Sequence, residues 1–160
     1  MSIPAASKIL PEAPALHHHH GKQDFKVVIF DLDDTLIHEG FSAENTPLCK
    51  DTLKVLDYLK HREYKLAIAS HNDNSLLYLQ SVKICHYFDF VSGEDHYNNL
   101  KPSKIANLSA VLDYFDVKSG NCYYFDDVEA HVLEAKELGM NAYSVDWMVG
   151  ISYEQVCEIL

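Results

Sequence analysis

A short apolar run that ends in a cluster of carboxylates constrains the fold of this chain most. Residues 26–30, Lys-Val-Val-Ile-Phe, are typical of a buried strand. Asp31, Asp33 and Asp34 follow at once, and such charges repel one another unless a cation or water compensates them. If the chain stays extended past the strand, Asp31 and Asp33 share a face and Asp34 points away. The segment therefore predicts a ligand-binding edge rather than an ordinary Asp-rich turn.

Composition limits the class of protein. The chain has 160 residues, 48% of them hydrophobic, which predicts one globular domain. A net charge of -11 argues against binding to nucleic acid or to an anionic membrane. No apolar run approaches the ~20 residues of a membrane helix, and no secretion signal is recognisable, so a cytoplasmic location is expected. The four cysteines form no Cys-x-x-Cys pair and are interpreted as reduced thiols.

The first 24 residues differ in composition from the rest. Residues 1–24 are rich in Ala and Pro and contain the histidines 17–20. We interpret this segment as a flexible tail, in which the histidines are either a remnant of an expression tag or a natural tract. Residues 25–160 are expected to form the single folded domain.

Five short apolar runs alternate with segments of helical spacing. The alternation predicts a three-layer α/β/α, Rossmann-like fold around a central, mostly parallel five-stranded sheet with right-handed crossovers. Ligands bind such sheets beyond the carboxyl ends of the strands. The runs are residues 25–30, 65–70, 88–91, 122–125 and 142–145.

Polar side chains follow three of the predicted strands. Asp31 and Asp33 follow the first, Ser70 ends the second, and Asp126 and Asp127 follow the fourth. Since the carboxyl ends of parallel strands meet at one edge, we expect these side chains to converge on one mouth.

This ordered set of motifs resembles the haloacid dehalogenase (HAD) superfamily of phosphotransferases over residues 25–149. Its parts are Asp31-x-Asp33-x-Thr35, Ser70, a lysine at position 101 or 104, and Asp126-Asp127. Within the superfamily the chain is similar to the eukaryotic magnesium-dependent phosphatase-1 group. Segments 67–70, 103–104, 124–127 and 138–139 carry that similarity.

The resemblance implies a phosphatase, a phosphoric monoester hydrolase, with defined roles. Asp31 would be the nucleophile and form an aspartyl phosphate, and Asp33 would be the general acid and then the general base. Ser70 would donate to a phosphoryl oxygen, and Thr35 and Asn72 would also bind phosphate. His71 is interpreted as a loop histidine without a catalytic role.

Mg²⁺ is the cofactor that the resemblance implies, because it prefers hard oxygen ligands and often joins carboxylates to a substrate phosphate. Asp31 and Asp127 would bind it directly, Asp33 through its backbone carbonyl, and Asp126 directly or through a ligand. His131 lies four residues after Asp127, where it would orient Asp127 or simply face solvent.

Two lysines compete for the role of phosphate-binding cation. Lys101-Pro102 resembles the pair that opens the corresponding helix in many relatives, whereas Lys104 matches the phosphatase-1 pattern. Ile105, Leu108 and Val111 form an apolar stripe that places Lys104 in the first turn of a helix. We therefore choose Lys104 and expect Lys101 to be a solvated surface lysine.

The intervals between motifs are too short to hold a cap domain. Segment 38–48 is the only lid-like element, and loop 94–100 could form the opposite rim. An open site would admit a phosphorylated small molecule or a phosphoprotein. Two alternatives stay open: a phosphoprotein phosphatase of the polymerase-tail type, and a non-catalytic regulatory protein that binds metal or phosphate. The sequence does not predict the oligomeric state.

Overall fold

A six-stranded sheet forms the centre of the molecule. The computed structural model describes residues 8–9, 22–39 and 47–160. The strands follow the order β1-β4-β3-β2-β7-β8 across the sheet. Their bounds are β1 Lys8–Ile9, β2 Val27–Phe30, β3 Lys65–Ser70, β4 Phe90–Gly93, β7 Cys122–Asp126 and β8 Asn141–Ser144. A separate hairpin consists of β5 Tyr97–Asn98 and β6 Lys101–Pro102.

The predicted five-stranded parallel sheet is confirmed. Strands β2, β3, β4, β7 and β8 pair in parallel, and only β1 runs antiparallel, against β4 at the sheet edge. Strand β2 is central: Phe30 lies level with Ile68 of β3 on one side and with Phe125 of β7 on the other. All four residues of β2 are buried, as a strand covered on both faces requires.

Five α-helices, counted over the described residues, cover the two faces of the sheet. Residues Val28 and Phe30 face the layer of α1, α2 and α5, and Val27 and Ile29 face the layer of α3 and α4. The predicted three-layer fold is therefore confirmed. The helices are α1 Thr52–His61, α2 Ser75–Ser81, α3 Ile105–Phe115, α4 Glu129–Glu137 and α5 Tyr153–Ile159.

The apolar spacing of α3 explains how this helix is held. Leu108, Val111 and Phe115 are buried against the sheet, as the period of 3.6 residues requires. The helix begins at Ile105, so Lys104 stands just before it rather than inside its first turn. Asp116, which ends the helix, adopts a left-handed conformation with φ 53°.

Two features of the fold were not predicted from the sequence. The hairpin β5–β6 lies in a segment interpreted as a loop, and β1 belongs to the segment interpreted as a flexible tail. The histidines 17–20 and most of the lid-like segment, residues 40–46, lie outside the described residues. The described residues contain no second, cap-like domain.

No disulfide joins the four cysteines, all of which belong to the part of the chain that the structure describes. Every helix in that part is too short or too polar to cross a lipid bilayer.

Candidate active site

The first acidic motif lies just past the central strand. The amide of Asp31 donates to the carbonyl of Phe125 at 3.0 Å, which continues the pairing of β2 with β7 by one residue. The Asp31 side chain is almost buried. Asp34 takes a positive φ of 61°, a conformation that Asp tolerates. Asp34 was expected to point away, but this turn brings it to the same pocket that Asp31 and Asp33 line.

Lys104 holds the centre of the site. Its ammonium is buried, with only 2% of the side chain exposed. The Nζ atom lies 2.8 Å from Asp31 Oδ1 and 3.2 Å from Asp126 Oδ2. It also contacts the carbonyl of Ala69 at 2.9 Å and the hydroxyl of Tyr124 at 3.1 Å. One ammonium therefore joins the ends of strands β2, β3 and β7.

Both carboxylate oxygens of Asp126 accept hydrogen bonds from groups of the protein. The hydroxyl of Tyr124 donates to Oδ2, the atom that Lys104 also contacts. The amide of Val128 donates to Oδ1 at 2.9 Å. These contacts favour a supporting role for Asp126 over that of an open metal ligand.

Burial and charge act in opposite directions on these groups. Burial raises the pKa of Asp126, but Lys104, His131 and Tyr124 outweigh it and hold that pKa below its usual range. Burial also raises the pKa of Asp31; there Lys104 opposes the effect while Asp126 adds to it, and the pKa stays raised. The pKa of Lys104 is raised because Asp31 and Asp126 outweigh its own burial. The lysine is therefore charged, and Asp126 carries the more firmly held negative charge.

Asp127 completes a group of three carboxylates. Asp31, Asp126 and Asp127 each offer an oxygen within 4.8 Å of the others. Burial and the nearby carboxyl of Asp31 raise the pKa of Asp127 to about 8. A divalent cation relieves such crowding, and carboxylate oxygens are the ligands that Mg²⁺ prefers. The donor set therefore fits Mg²⁺, and of the three carboxylates Asp31 and Asp127 line the pocket whereas Asp126 does not.

The tip of β3 supplies polar groups on the opposite side of the pocket. Ser70 is buried, and its Oγ accepts from the amide of Asn72 at 3.0 Å. The Asn72 side chain donates to Asp33 Oδ2 at 3.2 Å. Burial raises the pKa of Asp33, and this amide opposes the effect. Gly93 permits the arrangement, because a Cβ there would lie 3.0 Å from the Asn72 carbonyl.

Thr35 occupies a different place from the one the resemblance implied. It is fully buried, and its Oγ1 lies 3.5 Å from Asp31 Oδ2. It is not among the residues that line the pocket. Its position supports the carboxylate of Asp31 rather than a bound phosphate.

Two histidines meet beside the acidic groups. The prediction for His131 was wrong: the ring is buried, and Nδ1 lies 3.4 Å from Asp126 Oδ2 instead of orienting Asp127 or facing solvent. His71 donates from Nε2 to the Ser103 carbonyl at 2.6 Å. Its ring contacts that of His131 edge to face, with centroids 5.0 Å apart. Burial lowers the pKa of His71, so this ring is neutral near pH 7.

Two polar residues that sequence reasoning missed fasten α3 to the site. Glu134 of α4 accepts from the Ser103 hydroxyl at 2.6 Å and from the Lys104 amide at 2.9 Å. Asn107 is fully buried and donates to the carbonyls of Ser70 and Glu94, at 3.2 and 2.9 Å. Both lie within helices, outside the motifs at the strand ends, so neither belongs to a recognisable pattern. A third missed residue, Tyr124, has a signal: two positions before Asp126, it faces the same side of β7.

These side chains surround a cavity of about 140 Å³, the acidic pocket. Lys104 lines this pocket, whereas Lys101 is exposed on the hairpin and lines a neighbouring groove. Of the two candidate lysines, only Lys104 therefore lies in the acidic pocket. The pocket lining consists of Asp31, Asp33, Asp34, Glu39, Ser70, His71, Asn72, Lys104, Asp127, Val128 and His131.

Solved structures with the same fold include several HAD proteins. A β-phosphoglucomutase from Clostridium difficile superposes with a TM-score of 0.68 at 14% identity, over 84% of this chain and 96% of that one. A HAD phosphatase from Thermococcus onnurineus gives 0.64 at 19% identity, over 81% and 90%. A HAD-superfamily hydrolase from Ehrlichia chaffeensis gives 0.64 at 16% identity, over 88% and 99%. At these identities the likeness shows the fold alone.

Sequence comparison gives the family. A search of curated proteins finds no match. The family model of haloacid dehalogenase-like hydrolases matches residues 37–145, more than half of the chain. The matched segment contains the strand tips of Ser70 and Asp126 and the lysine at position 104. The chain belongs to the haloacid dehalogenase-like hydrolases.

Proposed function

We propose that the protein is a magnesium-dependent phosphomonoesterase that acts through an aspartyl phosphate on Asp31. One observation carries the proposal: the almost buried Asp31 carboxylate is joined to the buried ammonium of Lys104 at 2.8 Å, and the same pocket is lined by Asp33 and Asp127. The pocket therefore brings together a nucleophile, Asp31, a group that can donate and accept a proton, Asp33, and the positive charge of Lys104.

The pocket suits a phosphoryl group in size and chemistry. Its volume of about 140 Å³ accommodates one tetrahedral anion and little more. Lys104 places a fixed positive charge at its base, and Ser70 lines its wall. Preorganised donors of this kind stabilise the charge that develops on a transferring phosphoryl group.

In the first step, one carboxylate oxygen of Asp31 attacks phosphorus and the bond from phosphorus to the alcohol oxygen breaks. Asp33 gives its proton to the departing oxygen. Because burial raises the pKa of Asp33, this carboxyl keeps its proton closer to neutral pH than an exposed one does. The Asn72 amide holds Asp33 in place through Oδ2.

In the second step, Asp33 takes a proton from water, and the water oxygen attacks phosphorus. The bond from phosphorus to Asp31 breaks, inorganic phosphate leaves, and the Asp31 carboxylate is restored. Asp33 is protonated again and ready for the next cycle. Lys104 stays paired with Asp31 through both steps and keeps its carboxylate oriented.

Mg²⁺ would be held by the side chains of Asp31 and Asp127 and by the backbone carbonyl of Asp33, where it would neutralise charge on the phosphoryl oxygens. Asp126 would act through Lys104 instead of binding the ion, since its oxygens already accept from Lys104, Tyr124 and Val128. The three neighbouring carboxylates would then differ in role: Asp31 is the nucleophile and a metal ligand, Asp127 is a metal ligand only, and Asp126 orients Lys104.

Release of inorganic phosphate from 4-nitrophenyl phosphate, in Mg²⁺ and in EDTA, tests this function. We expect turnover in Mg²⁺, none in EDTA, and a loss of about a hundredfold or more in Asp31→Asn, because that change removes a covalent nucleophile. Asp113→Asn is the matched control: it makes the same charge change at an exposed position of α3 and should keep full activity.

Two results would reject the mechanism or the activity. Full turnover by Asp31→Asn would exclude Asp31 as the nucleophile. An unmodified protein that is silent toward many phosphomonoesters would favour the alternative of a regulatory protein that binds metal or phosphate.

A further inference from the structure

A second, larger cavity opens beside the acidic pocket. We name it the hairpin groove. Its volume is about 770 Å³, and it shares His71, Val128 and His131 with the acidic pocket. The two cavities are therefore adjacent across these three residues. The lining is His71, Asn98, Asn99, Lys101, Pro102, Ser103, Val128, Ala130, His131 and Glu134.

One wall of the groove is the β5–β6 hairpin. Its strands place Asn98 opposite Lys101, and its two-residue turn consists of Asn99 and Leu100, both with positive φ, 52° and 66°. The amide of Ser103 donates to the carbonyl of His96 at 2.9 Å and closes the base of the hairpin. The hairpin therefore places Asn98 and Lys101 opposite each other on paired strands.

The acidic group that lines the groove has hydrogen-bond partners within the protein, whereas its lysine has no ion-pair partner among the described residues. Among the described residues that line the groove, Glu134 is the only one with a carboxylate, and its two oxygens already accept from Ser103 and from the Lys104 amide. His71 is neutral because burial lowers its pKa. Lys101 is exposed and makes no ion pair with the described residues. The groove thus offers one uncommitted positive charge beside a site that attracts phosphate.

We propose that the hairpin groove binds the alcohol portion of the substrate, and that this portion carries a second anionic group, a carboxylate or a second phosphate, that pairs with Lys101. The proposal rests on the phosphatase function proposed above. A volume of this size is within the range of small-molecule sites, so the substrate class is a small organic phosphate. Lys101 and Lys104 stand three residues apart, at most about 11 Å between Cα atoms in an extended chain, so one small molecule can reach both.

A matched set of aryl phosphates tests the assignment. The probes are 4-carboxyphenyl phosphate, 4-carbamoylphenyl phosphate, in which an uncharged amide replaces the carboxylate, and benzene-1,4-diyl bisphosphate. Release of phosphate is measured in Mg²⁺ for the unmodified protein, Lys101→Met, Lys101→Glu and Lys101→Arg. Lys118→Met is the control, since Lys118 is exposed at the opposite end of the sheet, just before β7.

We expect Lys101→Met to raise KM about fivefold for one or both of the probes that carry a second anionic group, with kcat within about twofold, because the pair is partly solvated. KM for the carbamoyl probe should stay unchanged. For the probe that responds to Lys101→Met, Lys101→Glu should raise KM further. Lys101→Arg keeps the charge and should leave that KM unchanged. The probe that responds identifies the second anionic group as carboxylate or phosphate.

The outcomes separate the two proposals. If the unmodified protein hydrolyses neither 4-nitrophenyl phosphate nor any of the probes, the phosphatase function fails and this inference falls with it. If it hydrolyses 4-nitrophenyl phosphate but none of the probes, the groove assignment alone is overturned. If hydrolysis occurs but Lys101→Met changes all three KM values equally, or none, the groove assignment alone is overturned. Sensitivity to Lys101 confined to an acidic phosphoserine peptide would overturn the small-molecule class and assign the groove to a protein substrate.

Discussion

A single buried ammonium organises the site at the scale of the residue. Lys104 contacts Asp31, Asp126, Tyr124 and the carbonyl of Ala69, and so joins three strand ends. A buried charge is stable only when it is paired and hydrogen-bonded. The arrangement makes the charge state of each member depend on the others, which is why Asp126 stays ionised while Asp31 has a raised pKa.

Removing the Lys104 ammonium should strongly destabilise the folded protein. We expect Lys104→Met to lower the free energy of unfolding by about 3–5 kcal/mol, because it leaves two buried carboxylates uncompensated. Asp126→Asn should lower it as well, and the double variant should lose about 1–3 kcal/mol less than the sum of the single losses. Urea denaturation of the four proteins at pH 7 measures the cycle. Additive losses would show that the two groups are not coupled.

Sequence reasoning reached part of this network. The period of the apolar residues in α3 favoured Lys104 over Lys101, since helical spacing fixes direction as well as distance. It did not predict that the ammonium reaches Asp126, nor that His131 is buried beside the same carboxylate. These contacts join residues from different elements, and their distances depend on how α3 and α4 pack, which no local pattern records.

At the scale of the element, the start of α3 decides where Lys104 points. Glu134 reaches from α4 to the Ser103 hydroxyl and the Lys104 amide. A carboxylate at a helix N-terminus also interacts favourably with the helix dipole. Asn107 ties the first turn of the helix to the ends of β3 and β4. The helix is thus fixed at the point from which its lysine enters the pocket.

Loss of the Glu134 contacts should destabilise the N-terminus of α3. We expect Glu134→Ala to lower the free energy of unfolding by about 2–3 kcal/mol, as charged hydrogen bonds are lost, and to lower kcat about tenfold by displacing Lys104. Glu137→Ala, at an exposed position of the same helix, should stay within about 0.5 kcal/mol. Thermal unfolding and phosphate release provide the two readouts. Equal effects of the two changes would remove the anchoring role.

The elements themselves were well predicted, and the exceptions have physical reasons. The inner strands β2 and β3 are compact apolar runs, because burial on both faces demands one. The β5–β6 hairpin escaped notice because its turn is Asn99-Leu100 rather than the Asn-Gly that marks such turns. Its strands are only two residues long and exposed, so they carry no apolar alternation.

At the scale of the whole molecule, an acidic chain carries a group of three close carboxylates where a cation is proposed to bind. The net charge is -11, and three carboxylates lie within 4.8 Å of one another at the strand ends. Burial and Asp31 raise the pKa of Asp127 to about 8, from an ordinary value of 3.8. The folded protein therefore binds a proton that the unfolded chain releases over this interval.

Stability in EDTA should depend on pH accordingly. Because the folded pKa is raised, the contribution of Asp127 is fully present below about pH 3.8 and is lost as pH rises through about 8. We expect Tm in EDTA to fall between pH 5 and pH 8, and Mg²⁺ to restore it most at pH 8, where the ligands are ionised. The raised pKa values of Asp31 and Asp33 act in the same direction.

Asp127→Asn is the control for this pH dependence. It should flatten the fall of Tm in EDTA and remove the recovery in Mg²⁺, since it deletes both the titrating group and a proposed ligand. A Tm in EDTA that stays level or rises from pH 5 to pH 8 in the unmodified protein would contradict the account of the carboxylate group.

Trapping the phosphorylated enzyme tests the central claim most directly. Asp33→Asn should form the aspartyl phosphate from an activated aryl phosphate in Mg²⁺ but hydrolyse it slowly, because it lacks the base that activates water. Acid quenching, digestion and mass spectrometry should then find one phosphoryl group on Asp31, absent in EDTA and in the Asp31→Asn/Asp33→Asn double variant. A phosphoryl group on another residue, or none at any time during turnover by the unmodified protein and by Asp33→Asn, would contradict covalent catalysis by Asp31.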